Sequence, residues 1–194
     1  PLVYAAPHIG FSLCVDQDQF LSIAKIRALR RLWARVQETC SIEPSLATIH
    51  AETSYRMMTA KDPETNTLRT TIAAFAAAVG GADSLSVLPH TIVHGLPDED
   101  ARRLARNTQL ILSGESHLDL IIDPAAGAGG METLTAALCE KAWDEFRRIE
   151  SEGGVLRSLM NGHIQERVLE MRERRDQRIN DGKKPIVGTT IYPA

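Results

Sequence analysis

Residues 46–81 read LATIHAETSYRMMTAKDPETNTLRTTIAAFAAAVGG, and the change of pattern inside this stretch decides the fold. The first five residues, 46–50, form a short apolar run of strand character. The Asp-Pro-Glu at 62–64 is typical of the start of a helix, with Asp62 expected at the N-cap position. The helix is predicted to run to Val79 and to end at the two glycines that follow. The stretch therefore predicts one strand followed by one helix.

The same order of strand and helix repeats along the chain. The further strand candidates are residues 10–15, 84–88 and 118–122, with a last apolar run at Ile186 and Val187. The further helices are predicted at residues 17–39, 97–112, 131–152, 155–161 and 163–180. Four successive strand-helix units predict a parallel α/β domain with right-handed crossovers. A sheet of four or five parallel strands is either a small doubly wound domain or half of an eight-stranded barrel, and the pattern does not separate the two.

Composition narrows the class of protein. A chain of 194 residues that is 43% hydrophobic suffices for one sizeable core, and its net charge of −3 argues against a nucleic-acid partner. Its longest apolar stretch, residues 71–79, is far shorter than the roughly 20 residues of a membrane span. Cys14, Cys40 and Cys139 are odd in number and scattered, which favours buried thiols in a reducing, cytoplasmic compartment. The chain begins at Pro1 without a methionine, so we expect its start to be a cut.

Three short motifs resemble binding sites, but structural roles are favoured for all three. His90 and His94 have the spacing of a helical metal pair, but they lack an intervening glutamate and are flanked by proline and glycine, so no metal site is expected. The glycine-rich residues 124–130 precede a helix without the spacing of a phosphate loop, which favours a plain turn over an anion site. The basic run at 172–178 contains interleaved acids, which is typical of a solvated, salt-bridged helix face.

Residues 50–63, HAETSYRMMTAKDP, resemble the barrel of the methylmalonyl-CoA mutase family, whose catalytic chains read His-x-Gln-Thr-Ser-Gly-Trp here. Similar segments occur in order across nearly the whole chain. They are AKIRALRRLW at 24–33, NTLRT at 66–70, GGADSL at 80–85, GLP at 95–97, ARNTQ at 105–109, DP at 123–124, and RINDG at 178–182 with IVG at 186–188.

This resemblance implies that residues 1–194 are the C-terminal half of a (β/α)8 TIM barrel with extra C-terminal helices, without its N-terminal half or its cobalamin domain. In the family, the pantetheine arm of the acyl-CoA threads the barrel, and adenosylcobalamin covers the carboxyl ends of the strands. The family's reaction is a radical isomerisation of methylmalonyl-CoA and succinyl-CoA that the cofactor initiates.

Comparison with the family's site residues implies that this chain has lost the site. His50, Thr53 and Ser54 are retained, and they are the candidate substrate contacts, although they also suit hydrogen-bonding groups at the end of a strand. The substituted positions include His8 for an arginine that contacts CoA, Gly10 for a hydrogen-bonding serine, and Asp83 for a CoA-contacting glutamine. The positions that face cobalamin in the family are also substituted, with Glu52 for a glutamine, Tyr55-Arg56 for Gly-Trp, and Ile92 for a glutamate near the cofactor. A glycine permits close approach of a flat ligand, whereas a tyrosine obstructs it.

The combined interpretation is a segment of the non-catalytic small subunit of a heterodimeric mutase. The cobalt-ligating Asp-x-His-x-x-Gly motif is absent, and the family's acyl-binding Tyr, Arg and His lie before this segment. We therefore expect no catalytic residue here, no cobalamin binding by this chain alone, and association with a large catalytic subunit or with itself. The alternatives are a divergent catalytic chain that binds its own acyl-CoA and cobalamin, and a ligand-free scaffold or chaperone subunit.

Overall fold

The chain forms two compact units, Pro1–Cys139 and Glu140–Ala194. The structure is a computed structural model that describes residues 2–193. In chain order the elements are α1 (Leu2–Ala5), β1 (Gly10–Val15), α2 (Gln19–Thr39), β2 (Thr48–Thr53), α3 (Thr65–Val79), β3 (Ser84–Ser86), α4 (Glu99–Gly114), α5 (Gly129–Ser151), α6 (Val155–Met160) and α7 (His163–Asn180). Short 3-10 turns lie at Ala6–His8, Tyr55–Met57 and Ile92–His94.

Within residues 2–193, three strands form a parallel sheet in the order β1-β2-β3. In this register Gly10 pairs with Thr48 and Val15 pairs with Thr53. Parallel neighbours need a long connection between them, and here α2 and α3 supply it. The predicted parallel α/β fold is therefore confirmed for these three strands.

The two faces of the sheet differ because side chains alternate along each strand. One face packs on α2 and α3, and its core includes Val15 and Ile49 from the strands with Ile26, Ala73 and Ala77 from the helices. The opposite face carries mainly polar side chains that are exposed or half-buried.

The helices lie close to their predicted positions, and the start of α3 is the exception. Asp18 and Asp98 cap α2 and α4 by accepting a hydrogen bond from the backbone N–H of the third residue of the helix. Asp62 was predicted to cap α3, but the helix begins three residues later, with Glu64 at the cap position. Asp62 has a left-handed φ of 53°, so its backbone makes a turn before the helix. Its carboxylate still accepts a hydrogen bond from the Thr65 hydroxyl.

The predicted fourth strand at 118–122 does not form. The segment makes turns instead, and Leu120, Ile121 and Ile122 are 74%, 66% and 98% exposed. Contacts outside the sheet hold it at both ends. The Leu118 N–H donates to the carbonyl of Leu112 at 3.1 Å, and Asp123 binds Arg27 of α2. An apolar run shows strand character but does not supply the neighbouring strand with which it must pair.

Two other expectations are corrected. The last apolar run makes only an isolated bridge between Val187 and Ile191. The thiols are not buried: Cys14 and Cys40 are exposed, and Cys139 is half-buried. Cys14 occupies the polar side of the alternation in β1, and Cys40 directly follows α2.

The second unit contains α6, α7 and the end of α5. Its central contact is the pair of Glu152 and Arg167, whose carboxylate and guanidinium lie 2.7 Å apart. The basic run in α7 is ion-paired as predicted, and its pairs include Arg172 with Asp176 and Arg174 with Glu170. Across residues 2–193, no helix has the length and apolarity that crossing a membrane requires.

Candidate functional site

Parallel strands bring their carboxyl ends to the same edge of the sheet, which is where α/β barrels and open α/β sheets bind ligands. Here the carboxyl edge is formed by the ends of β1, β2 and β3 and by the segments that follow β2 and β3. The candidate residues identified from sequence lie at this edge, on the polar face of the sheet, or at the opposite, amino edge.

The polar face presents two rows of side chains across the strands. The rows are Ser12, His50 and Ser84, and Cys14, Glu52 and Ser86. In the first row, the Nδ1 of His50 lies 2.8 Å from the Oγ of Ser84, and the tautomer of the imidazole decides which atom donates. This contact orients the ring and leaves Nε2 as its second polar atom.

Thr53 and Ser54 lie differently from His50, although sequence placed the three together. The Thr53 side chain is fully buried on the helix side, and its hydroxyl accepts a 2.8 Å hydrogen bond from the N–H of Leu88. Ser54 is 5% exposed, and its N–H donates to the carbonyl of Val15 at 2.7 Å. These contacts join the end of β2 to β1 and to the segment after β3.

Tyr55 and Arg56 lie in an exposed 3-10 turn at the carboxyl edge. Tyr55 is 58% exposed, Arg56 is exposed, and Met57 directly after them is buried in the core. Of the other positions that the resemblance associates with cobalamin, Glu52 is half-buried on the polar face, and Ile92 is half-buried in the 3-10 turn after β3.

A lysine adds positive charge near this turn. The ammonium of Lys25 donates to the carbonyl of Cys14, next to the end of β1. Burial lowers the pKa of Lys25, and Asp16 acts in the opposite direction. The positive charge of Arg56 also lowers this pKa, which means that the two cations act on each other.

The amino edge holds the other substituted positions. Asp83 accepts hydrogen bonds from Arg30 at 2.9 Å and from the N–H of Ile49 at 2.7 Å. His8 is exposed, and at Gly10 a Cβ would lie 3.3 Å from the carbonyl oxygen of Thr48. The carboxylate of Asp83 is therefore engaged in contacts within the fold.

The glycine-rich motif forms an internal contact, whereas the buried Nδ1 of His90 has no hydrogen-bond partner among the described residues. Within residues 2–193, no three His, Cys, Asp or Glu side chains lie close enough together to hold a metal ion. In the glycine-rich segment, the N–H of Gly127 donates to the Glu132 carboxylate at 3.2 Å, so that carboxylate occupies the place an anion would need. Arg27 and Arg31 also bind Glu132 and, with this N–H, lower its pKa to about 2.

Sequence reasoning missed one residue that organises the carboxyl edge, Asn66. It is fully buried at the start of α3 and bonds to the segments after both β2 and β3. Its burial, though not its bonds, was signalled by the helical spacing of Asn66, Thr70, Ala73 and Ala77 on the core side of α3.

These features define a parallel α/β domain with sequential strands, a polar open face and a carboxyl edge shaped by two segments that hydrogen bonds hold together. The model of the methylmalonyl-CoA mutase family matches residues 4–194, and the chain belongs to this family, which is named for an isomerase.

Named relatives include small subunits. The methylmalonyl-CoA mutase small subunit of Streptomyces virginiae is 45% identical over 190 residues, which are 97% of this chain and 31% of that protein. The small subunit from Propionibacterium freudenreichii subsp. shermanii is 39% identical over 95% of this chain and 30% of its own length. The mitochondrial methylmalonyl-CoA mutase of Bos taurus is 36% identical over 96% of this chain and 26% of its own length. The chain thus spans less than a third of the length of these relatives.

Proposed function

We propose that this chain is the C-terminal half of the barrel domain in the non-catalytic small subunit of a methylmalonyl-CoA mutase. The observation that carries the proposal is the 45% identity, over 97% of the chain, with a protein named as such a small subunit. In this proposal the holoenzyme interconverts methylmalonyl-CoA and succinyl-CoA, and catalysis takes place in the large subunit. The free thiols of Cys14, Cys40 and Cys139 support a cytoplasmic location.

The order of the strands supports the barrel. β1, β2 and β3 are neighbours in the order in which they occur in the sequence, and each is followed by a helix. Such an arc occurs in a (β/α)8 barrel and also within one half of a doubly wound sheet, and the match to the mutase family favours the barrel. In the proposed barrel, β1 and β3 each pair with a further strand, and the polar face lines the interior.

The retained residues divide between two roles in this proposal. His50 is placed on the polar face, where its Nε2 can contact an acyl-CoA. Thr53 and Ser54 are buried and join strands and loops, so we propose that they persist for the fold.

The carboxyl edge does not fit adenosylcobalamin. The turn that follows β2 carries Tyr55, which is 58% exposed, and the exposed cation Arg56, with Lys25 nearby. A flat ligand needs close approach to the strand ends, and an aromatic side chain in this place prevents it. We propose that the cofactor belongs to the large subunit and that this chain takes no chemical step.

Association tests the proposal. Within residues 2–193, β1 and β3 each pair with one strand only, and an unpaired strand edge favours pairing with further strands, which the rest of the barrel or another polypeptide would supply. Sedimentation velocity of the chain alone, and of its mixture with a large catalytic mutase subunit, is expected to show self-association or a complex of the two. A species that remains monomeric at high concentration and does not bind the large subunit would contradict the proposed role.

A further inference from the structure

Asn66 uses all the hydrogen-bonding capacity of its buried side-chain amide. Its Nδ2 donates to the carbonyls of Thr59 at 2.9 Å and His90 at 3.0 Å. Its Oδ1 accepts from the N–H of Thr59 at 3.0 Å and from Nη1 of Arg69 at 2.7 Å. The same Arg69 nitrogen also donates to the Thr59 hydroxyl at 3.1 Å. Asn66 is 0% exposed and Arg69 is 8% exposed, so water does not compete for these bonds.

These bonds connect two loops that are separate in sequence. The β2 loop comprises residues 54–64, and the β3 loop comprises residues 87–98. Asn66 binds the first loop at Thr59 and the second at His90, a residue 24 positions away in the chain.

Each loop also has an anchor on a strand. Ser54 begins the β2 loop with its bond to β1, and Leu88 in the β3 loop donates to Thr53 at the end of β2. The part of the β2 loop between Ser54 and Thr59 is therefore held at both ends, and Met57 within it is buried. The same short span contains Tyr55 and Arg56, so its outward turn follows from these anchors.

We propose that Asn66, oriented by Arg69, is a positioning residue that couples the β2 and β3 loops and holds Tyr55 and Arg56 at the carboxyl edge of the sheet. The inference rests on the proposed function only in that this edge is the one the family covers with cobalamin. The shape of the edge is then set by a neutral, buried amide within the chain and needs no ligand to maintain it.

Gln37 provides a matched control at the other edge of the sheet. It is also a 0% exposed amide, and it accepts from the N–H and hydroxyl of Ser45 and donates to the Ser45 carbonyl. Its contacts involve the single loop between α2 and β2, together with its own helix at Trp33. A buried amide that stabilises one loop can thus be compared with one that joins two.

Hydrogen–deuterium exchange of the full chain, read by peptide, distinguishes the two roles. Asn66→Ala is expected to raise the exchange rate about tenfold in both 55–61 and 87–94. This ratio corresponds to lowering the free energy of local opening by about the contribution of one hydrogen bond. Exchange in β1 and β2 is expected to stay unchanged. Gln37→Ala is expected to speed exchange at residues 41–47 and to leave the β2 and β3 loops as they are.

A second variant separates the two halves of the amide. Asn66→Asp keeps the acceptor for the Thr59 N–H and Arg69 but removes both Nδ2 donors, so the β3 loop is expected to gain more exchange than the β2 loop. This variant also serves if Asn66→Ala does not fold.

Two results would overturn the proposal. A uniform rise across β1, β2 and both loops would make Asn66 a stabilising residue without a positioning role. A rise confined to one loop in Asn66→Ala would show that the loops are not coupled. Cobalamin binding is measured separately, so a failure of the proposed function is not confused with either result.

Discussion

The contacts that link separate segments of the chain differ between the two edges of the sheet, because the buried amide at the amino edge, Gln37, stabilises a single loop. At the amino edge, Arg30 binds Asp83 through an ion pair of 2.9 Å whose side chains are 25% and 46% exposed. At the carboxyl edge, the neutral groups of Thr53 and Asn66 make the corresponding bonds while fully buried. Exposed ion pairs contribute little and are screened by salt, whereas an unsatisfied buried polar group carries the full cost of its desolvation. The comparison predicts that the links between separate segments are stronger at the carboxyl edge.

Under the proposed function, the two edges also differ in how they depart from a catalytic mutase chain. At the amino edge, Asp83 stands at a position that the resemblance associates with CoA, and it is engaged by Arg30 and Ile49. At the carboxyl edge, Tyr55 and Arg56 are exposed in a turn that begins at Ser54, which is bonded to β1. We propose that Asp83 replaces a ligand contact by internal contacts, and that the turn at Tyr55 and Arg56 obstructs a flat ligand.

Acidification is expected to produce the largest effect, because it removes carboxylate contacts and leaves neutral ones. Arg27, Arg31 and the Gly127 N–H lower the pKa of Glu132 to about 2 from an ordinary 4.5. A carboxylate whose folded pKa is lowered stabilises the fold above its unfolded pKa, and this stability is lost as the pH falls from about 4.5 towards 2. The same loss of stability on acidification is expected for Glu152 in the second unit, where Arg167 and Ser158 lower its pKa to about 2.

Urea unfolding followed by circular dichroism at a series of pH values measures this loss. Glu132→Gln is expected to flatten the pH dependence between 4.5 and 2, whereas Thr53→Val is expected to leave it unchanged. An unaltered pH dependence in Glu132→Gln would show that these ion pairs do not stabilise the first unit.

Thr53→Val is expected to have the next largest effect. Valine has the shape of threonine but no acceptor, so it leaves the N–H of Leu88 unpaired next to the core, at a cost of about 1–2 kcal/mol in the free energy of unfolding. Thr48→Val, at the exposed opposite end of the same strand, is expected to change it by less than about 0.5 kcal/mol. Equal effects at both ends would remove the distinction between the edges.

Asp83→Asn is expected to have the smallest effect. The asparagine oxygen can still accept from the N–H of Ile49, so mainly the charge opposite Arg30 is lost, at about 0.5 kcal/mol. The difference from the unchanged protein is expected to disappear in about 1 M salt, where the Debye length is roughly 3 Å. A loss that persists in high salt would mean that the ion pair is better shielded than its exposure indicates.

The spacing of apolar residues predicted most of the helices and strands, because this spacing depends on which side of a single helix or strand is buried. The pattern of β1, with Phe11, Leu13 and Val15 on one side, also showed that Cys14 faces the other way, so its exposure was foreseeable. The strand predicted at 118–122 was wrong because the presence of a pairing partner depends on the whole sheet.

The site was predicted less completely than the fold. Resemblance to the family identified the positions around His50 and Tyr55, since they are contiguous in sequence. It did not separate His50 on the polar face from Thr53 on the buried face, although strand alternation distinguishes them. The role of Asn66 depends on its bond to His90, 24 residues away, and no local pattern reports such a contact.

The measurement that tests the central claim most directly is a spectrophotometric titration of this chain with adenosylcobalamin. If Tyr55 and Arg56 obstruct the carboxyl edge as proposed, we expect no saturable change in the corrinoid spectrum at micromolar concentrations. We also expect no isomerisation of methylmalonyl-CoA by the chain alone. Saturable binding in the micromolar range or tighter would contradict the account, and the chain would then be a divergent catalytic mutase chain.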